Sequence, residues 1–182
     1  VMYPDDDSLL HQGSFEAMMQ AYERDPTVSA VCAADAAEPP PGVLPDEAWQ
    51  MTASQKRVKR FGRLRRKLEE RSNDLNPFLY VGRVLLERGP QPDWLEQYNC
   101  VLVEWMTGYR MSFRSSALAN FGFEGVFTGY SWFEDTDASY SAMRYGCVIG
   151  ARDARVYHHK FPSKRGDAYV LGAMSITNRA FV

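Results

Sequence analysis

The sequence predicts an α/β domain. Three observations carry that expectation. An apolar strand, an amphipathic helix and a second apolar strand follow one another between Val1 and Cys32, the alternation of an α/β fold. Later segments continue to alternate strand-like and helix-like stretches up to the tail. The chain has 182 residues, 45% hydrophobic and 24% charged, the make-up of one folded domain of ordinary size.

The elements follow in order. Val1 to Tyr3 predicts a short strand ended by Pro4, and Asp5-Asp6-Asp7-Ser8 a polar turn. Ser14 is a good helix N-cap. Phe15, Met18, Met19 and Tyr22 then fall at helical spacing on one apolar face. Asp25-Pro26 stops that helix, and Val28 to Cys32 predicts the second strand. Pro39-Pro40-Pro41-Gly42 is a loop. A basic amphipathic helix is expected from Lys56 to Arg71, with Val58, Phe61, Leu64 and Leu68 along one side. Phe78 to Leu86 is more apolar, and Gly89-Pro90 closes it. Residues from about 39 to 98 are therefore expected to form an insertion in the core.

Regular structure resumes near Val101. Tyr109 to Phe113 predicts a strand, and Ser115 or Ser116 caps a short helix. Phe121 to Tyr130 is a glycine- and aromatic-rich loop. Glu134-Asp135-Thr136-Asp137 opens a helix running to about Tyr145, with Gly146 as its stop. Ala154 to His158 is a strand, and a final helix is expected around Thr177.

Bulk properties exclude several classes. A formal net charge of -2 speaks against a surface built to grip nucleic acid. No apolar run approaches the roughly 20 residues of a membrane span. Cys32, Cys100 and Cys147 are scattered and lack metal-type spacing, so they are expected as reduced thiols in a cytoplasmic setting. Val1 opens in what reads as the end of a buried strand, so the chain is expected to be a fragment with a missing upstream part.

Several residue groups could carry chemistry. Asp5, Asp6 and Asp7 are adjacent carboxylates at a strand end, and their mutual repulsion calls for compensation. Mg²⁺ or Mn²⁺, which prefer oxygen ligands, would supply it; a solvated acidic turn is the alternative. Glu134, Asp135 or Asp137 could serve as a general base, or could simply cap their helix. His158 ends a strand and could complete a metal shell begun by Asp7, whereas His159 points to the other face of that strand. Trp105, Tyr109, Tyr130, Trp132 and Phe133 are either sugar-stacking rings or ordinary core, Trp132 being the preferred sugar-facing candidate. The basic helix could rest on anionic lipid or hold an anionic acceptor, or could be a solvated cover.

Taken in order, these pieces resemble one family. Val1 to Ser8, then Gly108-Tyr109-Arg110-Met111-Ser112-Phe113-Arg114, then Glu134-Asp135-Thr136-Asp137, then Arg155-Val156-Tyr157-His158 look like glycosyltransferase family 2, inverting enzymes of GT-A, Rossmann-like fold. Asn178-Arg179 is similar to the family's closing helix. Galactofuranosyl- and rhamnosyl-type members are the nearest in style. The resemblance covers residues 1 to about 38 and about 101 to 182, leaving out the basic insertion.

The resemblance implies a single, partial GT-A catalytic domain over 1–182, lacking its N-terminal βαβ part, where most of the nucleotide-base pocket lies. It implies Mn²⁺ or Mg²⁺ as cofactor, held by Asp7, Asp5 and His158. The donor, a nucleotide-diphosphate sugar, would lie against Asp5, Asp6 and Arg114. Asp135 matches the family's base, with Glu134 the fallback. Trp132, Tyr109 and Asp137 would face a glycan, lipid-linked or other hydroxyl acceptor. The implied location is cytoplasmic, with contact to the inner membrane face through the basic helix as an option. Two other functions compete: a non-catalytic module docking on membranes or acidic partners through that helix, and a metal-dependent phosphohydrolase, which would not need the Gly-x-x-Met-x-Phe-Arg segment.

Overall fold

The structure, a computed structural model, describes residues 1–43, 92–159 and 167–182. The basic stretch Lys56–Arg71, the apolar stretch Phe78–Leu86 and most of the expected insertion lie outside the described residues.

The described chain is a mixed α/β fold. In order it forms β1 (Met2–Tyr3), β2 (Ser8–Leu10), α1 (Ser14–Arg24), β3 (Val28–Asp35), α2 (Trp94–Gln97) and β4 (Cys100–Leu102). A 3-10 turn at Gly108–Arg110 then leads into β5 (Met111–Phe113), followed by α3 (Ser115–Phe121), α4 (Glu134–Met143), β6 (Cys147–His158) and α5 (Ala168–Phe181). Among the described residues no helix is long and apolar enough to cross a membrane.

One six-stranded sheet runs β1-β5-β3-β6-β2, with β4 also paired to β6. β3 and β6 are parallel; the other pairings are antiparallel. The first six residues of β3 are buried without interruption, as a strand covered on both faces requires. Its alternate side chains divide between two cores. Val31 and Ala33 pack with Met18, Ala21 and Tyr22 of α1; Ala30 and Cys32 pack with Ala138 and Ala142 of α4. Helices thus cover the sheet from both sides.

The topology decides where the acidic turn lies. β1 and β2 sit on opposite edges of the β1-β5-β3-β6-β2 path, yet the four residues Pro4–Asp7 join them. Four strand spacings amount to about 19 Å. The five steps from Tyr3 to Ser8 reach about 18 Å when fully extended, and a turn shortens them further. The sheet curls to close that gap. Pro4–Asp7 consequently crosses the edge where β3 ends at Asp35 and β6 ends at His158. Ligands of open α/β sheets bind beyond such strand C-termini.

Several expectations need correction. Ser14 does not cap α1: Gly13 takes the cap position at φ 82°, and the buried Ser14 hydroxyl donates to the Arg155 carbonyl. Phe15 and Met19 of the expected apolar face are exposed, and Ala21 joins Met18 and Tyr22 in the core instead. Ser115 starts α3 without capping it, because the N-cap position falls on Arg114. Tyr109 belongs to the 3-10 turn rather than to β5. β3 continues past Cys32 to Asp35, and β6 starts at Cys147 rather than Ala154. Trp94–Tyr98 belong to the core rather than to the insertion: Leu95 is buried and Trp94 Nε1 donates to Asp25 Oδ2 at 2.9 Å.

Candidate functional site

The pairing of β2 with β6 builds the first half of the site. Ser8 sits opposite His158, and His159 N–H donates to the Asp7 carbonyl at 2.8 Å. This register brings His158 Nε2 within 3.1 Å of Asp7 Oδ1. Ser8 N–H donates back to the Asp5 carbonyl at 3.0 Å and folds the turn so that Asp5 joins the pair. One potential ligand atom each from Asp5, Asp7 and His158 lies within 4.8 Å of the others. Two carboxylate oxygens and an imidazole nitrogen suit Mn²⁺, and less closely Mg²⁺, by the chemistry of the donors.

The second half comes from the start of α4. Ser131 and Phe133, both non-glycine, adopt left-handed backbone at φ 54° and 74°. Such conformations cost about 1–3 kcal/mol each and concentrate at functional turns. They set the angle at which Glu134 and Asp135 enter the helix. Asp135 Oδ1 accepts from Thr136 N–H at 2.8 Å and from Thr136 Oγ1 at 3.3 Å; Oδ2 accepts from Gly108 N–H at 3.2 Å. The 3-10 turn and the helix therefore fix the carboxylate from two sides.

Electrostatics ties the two halves together. Burial pushes the Asp5 carboxyl above its ordinary range; Asp7 adds to the rise, His158 opposes it, and Asp6 and Asp135 add to it again. Burial also raises Glu134, with Ser131 opposing and the charges of Asp135 and Asp5 adding. Asp135 is raised by burial against its own hydrogen bonds. The amino-terminal turn and the later acidic pair thus lie close enough for Asp5 to feel the charge of Asp135 and for Glu134 to feel that of Asp5. Asp6 is exposed, and its charge adds to the rise at Asp5.

A cavity of about 390 Å³ opens beside Asp135, lined by Trp105, Trp132, Phe133, Thr136 and Ser175 as well. Trp105 and Trp132 are 46% and 39% exposed, so their rings are open to a ligand. Tyr130 packs edge-on against Trp132 at 6.0 Å. α5 closes one side: Asn178 Nδ2 donates to the Trp132 carbonyl at 2.7 Å. A second hollow of about 400 Å³ lies between α1 and α2, and Asp153 is the one charged residue in its wall. No chemistry converges there, and the cavity at Asp135 is the better candidate.

Three expected site residues do not sit as expected. Arg114 is remote. Its guanidinium donates to the carbonyls of Val28, Tyr22 and Asp25 at 2.7–3.0 Å and lies over the Tyr22 ring. Val28 starts β3 and Asp35 ends it, so about 20 Å of strand separates Arg114 from the cleft. Because β5 runs antiparallel to β3, the chain has moved away from the site by the time it reaches Arg114. Tyr109 offers no open face to a sugar: it is 8% exposed and its ring stacks on His158 with centroids 4.4 Å apart. Asp137 is turned elsewhere; burial raises it, and the charges it feels are those of Glu124 and Arg144.

Two residues at the cleft escape sequence reasoning. Asp35 accepts the Tyr109 hydroxyl at 2.8 Å. Its signal was its place, a carboxylate ending an otherwise apolar strand. Arg110 lies at the strand ends that Arg114 leaves, donating to the Ala33 carbonyl and to Thr107 Oγ1. The spacing within Gly108–Arg114 could not say which arginine stays near.

Compared with known proteins, the chain matches no family model, and no curated protein or solved structure matches it.

Proposed function

We propose that the chain carries the catalytic half of a metal-dependent, inverting glycosyltransferase of GT-A type, moving a sugar from a nucleotide-diphosphate donor to a glycan, lipid-linked or other hydroxyl acceptor. The observation that most supports this reading is the meeting of Asp5, Asp7 and His158 with Glu134 and Asp135 at the C-terminal strand edge. These residues are far apart in the sequence. A fold that used its acidic turns for capping alone would have no reason to face them toward one another against their repulsion.

Asp7, Asp5 and His158 would hold Mn²⁺ or Mg²⁺. When bound, the ion would neutralise the cluster and the charge that grows on a diphosphate leaving group. Asp135 then serves as general base. Its Oδ1 is engaged twice by Thr136, whereas Oδ2 accepts a single bond, from Gly108. Oδ2 is the atom that takes the proton from the acceptor hydroxyl as that oxygen attacks the sugar carbon. Burial raises the basicity of this carboxylate, which favours proton transfer to it. One displacement inverts the anomeric centre. Trp132 and Trp105 flank the acceptor beside the base and keep water from competing.

Thermal unfolding with Mn²⁺, then with Mn²⁺ and a nucleoside diphosphate, tests the reading. A rise in Tm with Mn²⁺ that grows with the diphosphate supports it. An unchanged Tm under both conditions counts against it.

A further inference from the structure

One contact is left without a role by the proton and metal chemistry above. The Tyr109 ring stacks on the His158 imidazole at 4.4 Å and 17° between planes, and its hydroxyl donates to Asp35 Oδ1 at 2.8 Å. Tyr109 belongs to the same turn as Gly108, whose N–H holds Asp135.

Resting on the proposed metal site, we infer that Tyr109 is a positioning residue for that site: its ring fixes the plane of His158, and Asp35 anchors the ring.

An imidazole at the end of a strand can turn about its terminal torsion, which is broad and poorly determined by itself. Nε2 is directed at Asp7 only in a narrow range of that torsion. A near-parallel ring 4.4 Å away blocks rotation out of the plane, because any turn would drive the imidazole into the phenol. The phenol could slide, but its hydroxyl is tethered to the end of β3, the neighbouring strand of β6. Tyr109 is buried, so the tether spans a packed interior and does not depend on a surface loop. The chain of contacts Asp35, Tyr109, His158, Asp7 thus crosses the sheet end and transmits the β3–β6 register to the ligand atoms. Groups that orient a metal ligand from outside are generally worth about 10- to 100-fold in metal affinity.

The test measures Mn²⁺ affinity by calorimetry on wild type, Tyr109→Phe, Tyr109→Leu, Asp35→Ala and the double variant Tyr109→Phe/Asp35→Ala. His158 ring-proton shifts are recorded alongside on the metal-free chain. Tyr109→Leu should weaken Mn²⁺ binding at least about tenfold and move the His158 ring protons downfield as the shielding ring is lost. Tyr109→Phe and Asp35→Ala keep the ring and should each weaken binding a few-fold, with the double variant no worse than either alone. That lack of additivity marks one shared tether. A wild type that binds Mn²⁺ while all four variants bind it equally well overturns this inference and leaves the metal site standing. A wild type that binds no Mn²⁺ overturns both. If Tyr109→Leu does not fold, the Phe and Ala variants and their cycle decide the matter alone.

Discussion

Asp7 Oδ1 and His158 Nε2 lie 3.1 Å apart although they are far apart in sequence. The antiparallel pairing of β2 with β6 makes the contact, and the acidic segment's crossing of the sheet end leaves Asp5 beside it. Replacing either partner should therefore be felt in cation binding before it is felt in folding. Asp7→Ala and His158→Ala should each lower Mn²⁺ affinity at least about tenfold, read by calorimetry, with Tm in chelator nearly unchanged. Equal affinity in both variants would remove these residues from the site.

Asp135 should trade stability for activity. Burial holds its carboxyl above the ordinary range, so the folded state binds that proton more tightly than the unfolded chain does. Its contribution to stability is full below the unfolded pKa and is lost as pH rises through the folded one. Asp5 and Glu134 share this sign, whereas Asp25, held low chiefly by its hydrogen bond from Thr27, has the opposite one. Asp25 loses its contribution only as pH falls through its lowered value. Metal-free protein should accordingly gain Tm on mild acidification from neutral pH toward the ordinary carboxylate range. Asp135→Asn should raise Tm at neutral pH by a few degrees and flatten that gain, while sugar transfer falls by about 10³-fold or more.

Arg114 should prove structural. It satisfies three carbonyls at the ends of α1 and the start of β3. Arg114→Ala should cost about 2–3 kcal/mol in chemical denaturation, since bonds from a charged donor are among the stronger ones. Mn²⁺ affinity should stay within about twofold of wild type. A variant of full stability that loses donor binding would restore the expectation drawn from sequence.

Gly146 should tolerate no side chain. Its φ is 154°, and an added Cβ would fall 1.9 Å from the Thr27 carbonyl oxygen. That same carbonyl accepts Cys147 N–H at 2.8 Å where the β3–β6 pairing begins. Gly146→Ala should cost about 2–3 kcal/mol and show as a lower denaturation midpoint.

The α/β class and most elements were legible because a buried strand survives as an apolar run at Val28–Cys32 and a helix start as an acidic first turn at Glu134–Asp137. The acidic triad, Asp135 and His158 were legible as types at particular strand and helix ends. What escaped depends on pairing. Asp35 and Arg110 become site residues because β3 and β5 run antiparallel, and that register is set by contacts far apart in sequence. Arg114 was misplaced for the same reason: three residues of β5 carry the chain from Met111 toward the N-terminal end of β3, away from Asp35. The entry into α4 escaped because nothing in Ser131-Trp132-Phe133 announces left-handed backbone at non-glycine residues.

Paramagnetic broadening by Mn²⁺ tests the central claim most directly. In amide spectra of the chain titrated with substoichiometric Mn²⁺, the signals of Gly108, Asp135 and Thr136 should broaden together with those of Asp5 to Ser8 and His158, and Asp7→Ala should abolish the effect. Broadening confined to the Asp5–Ser8 turn, with Asp135 and its neighbours untouched, would contradict a single cleft shared by cation and base.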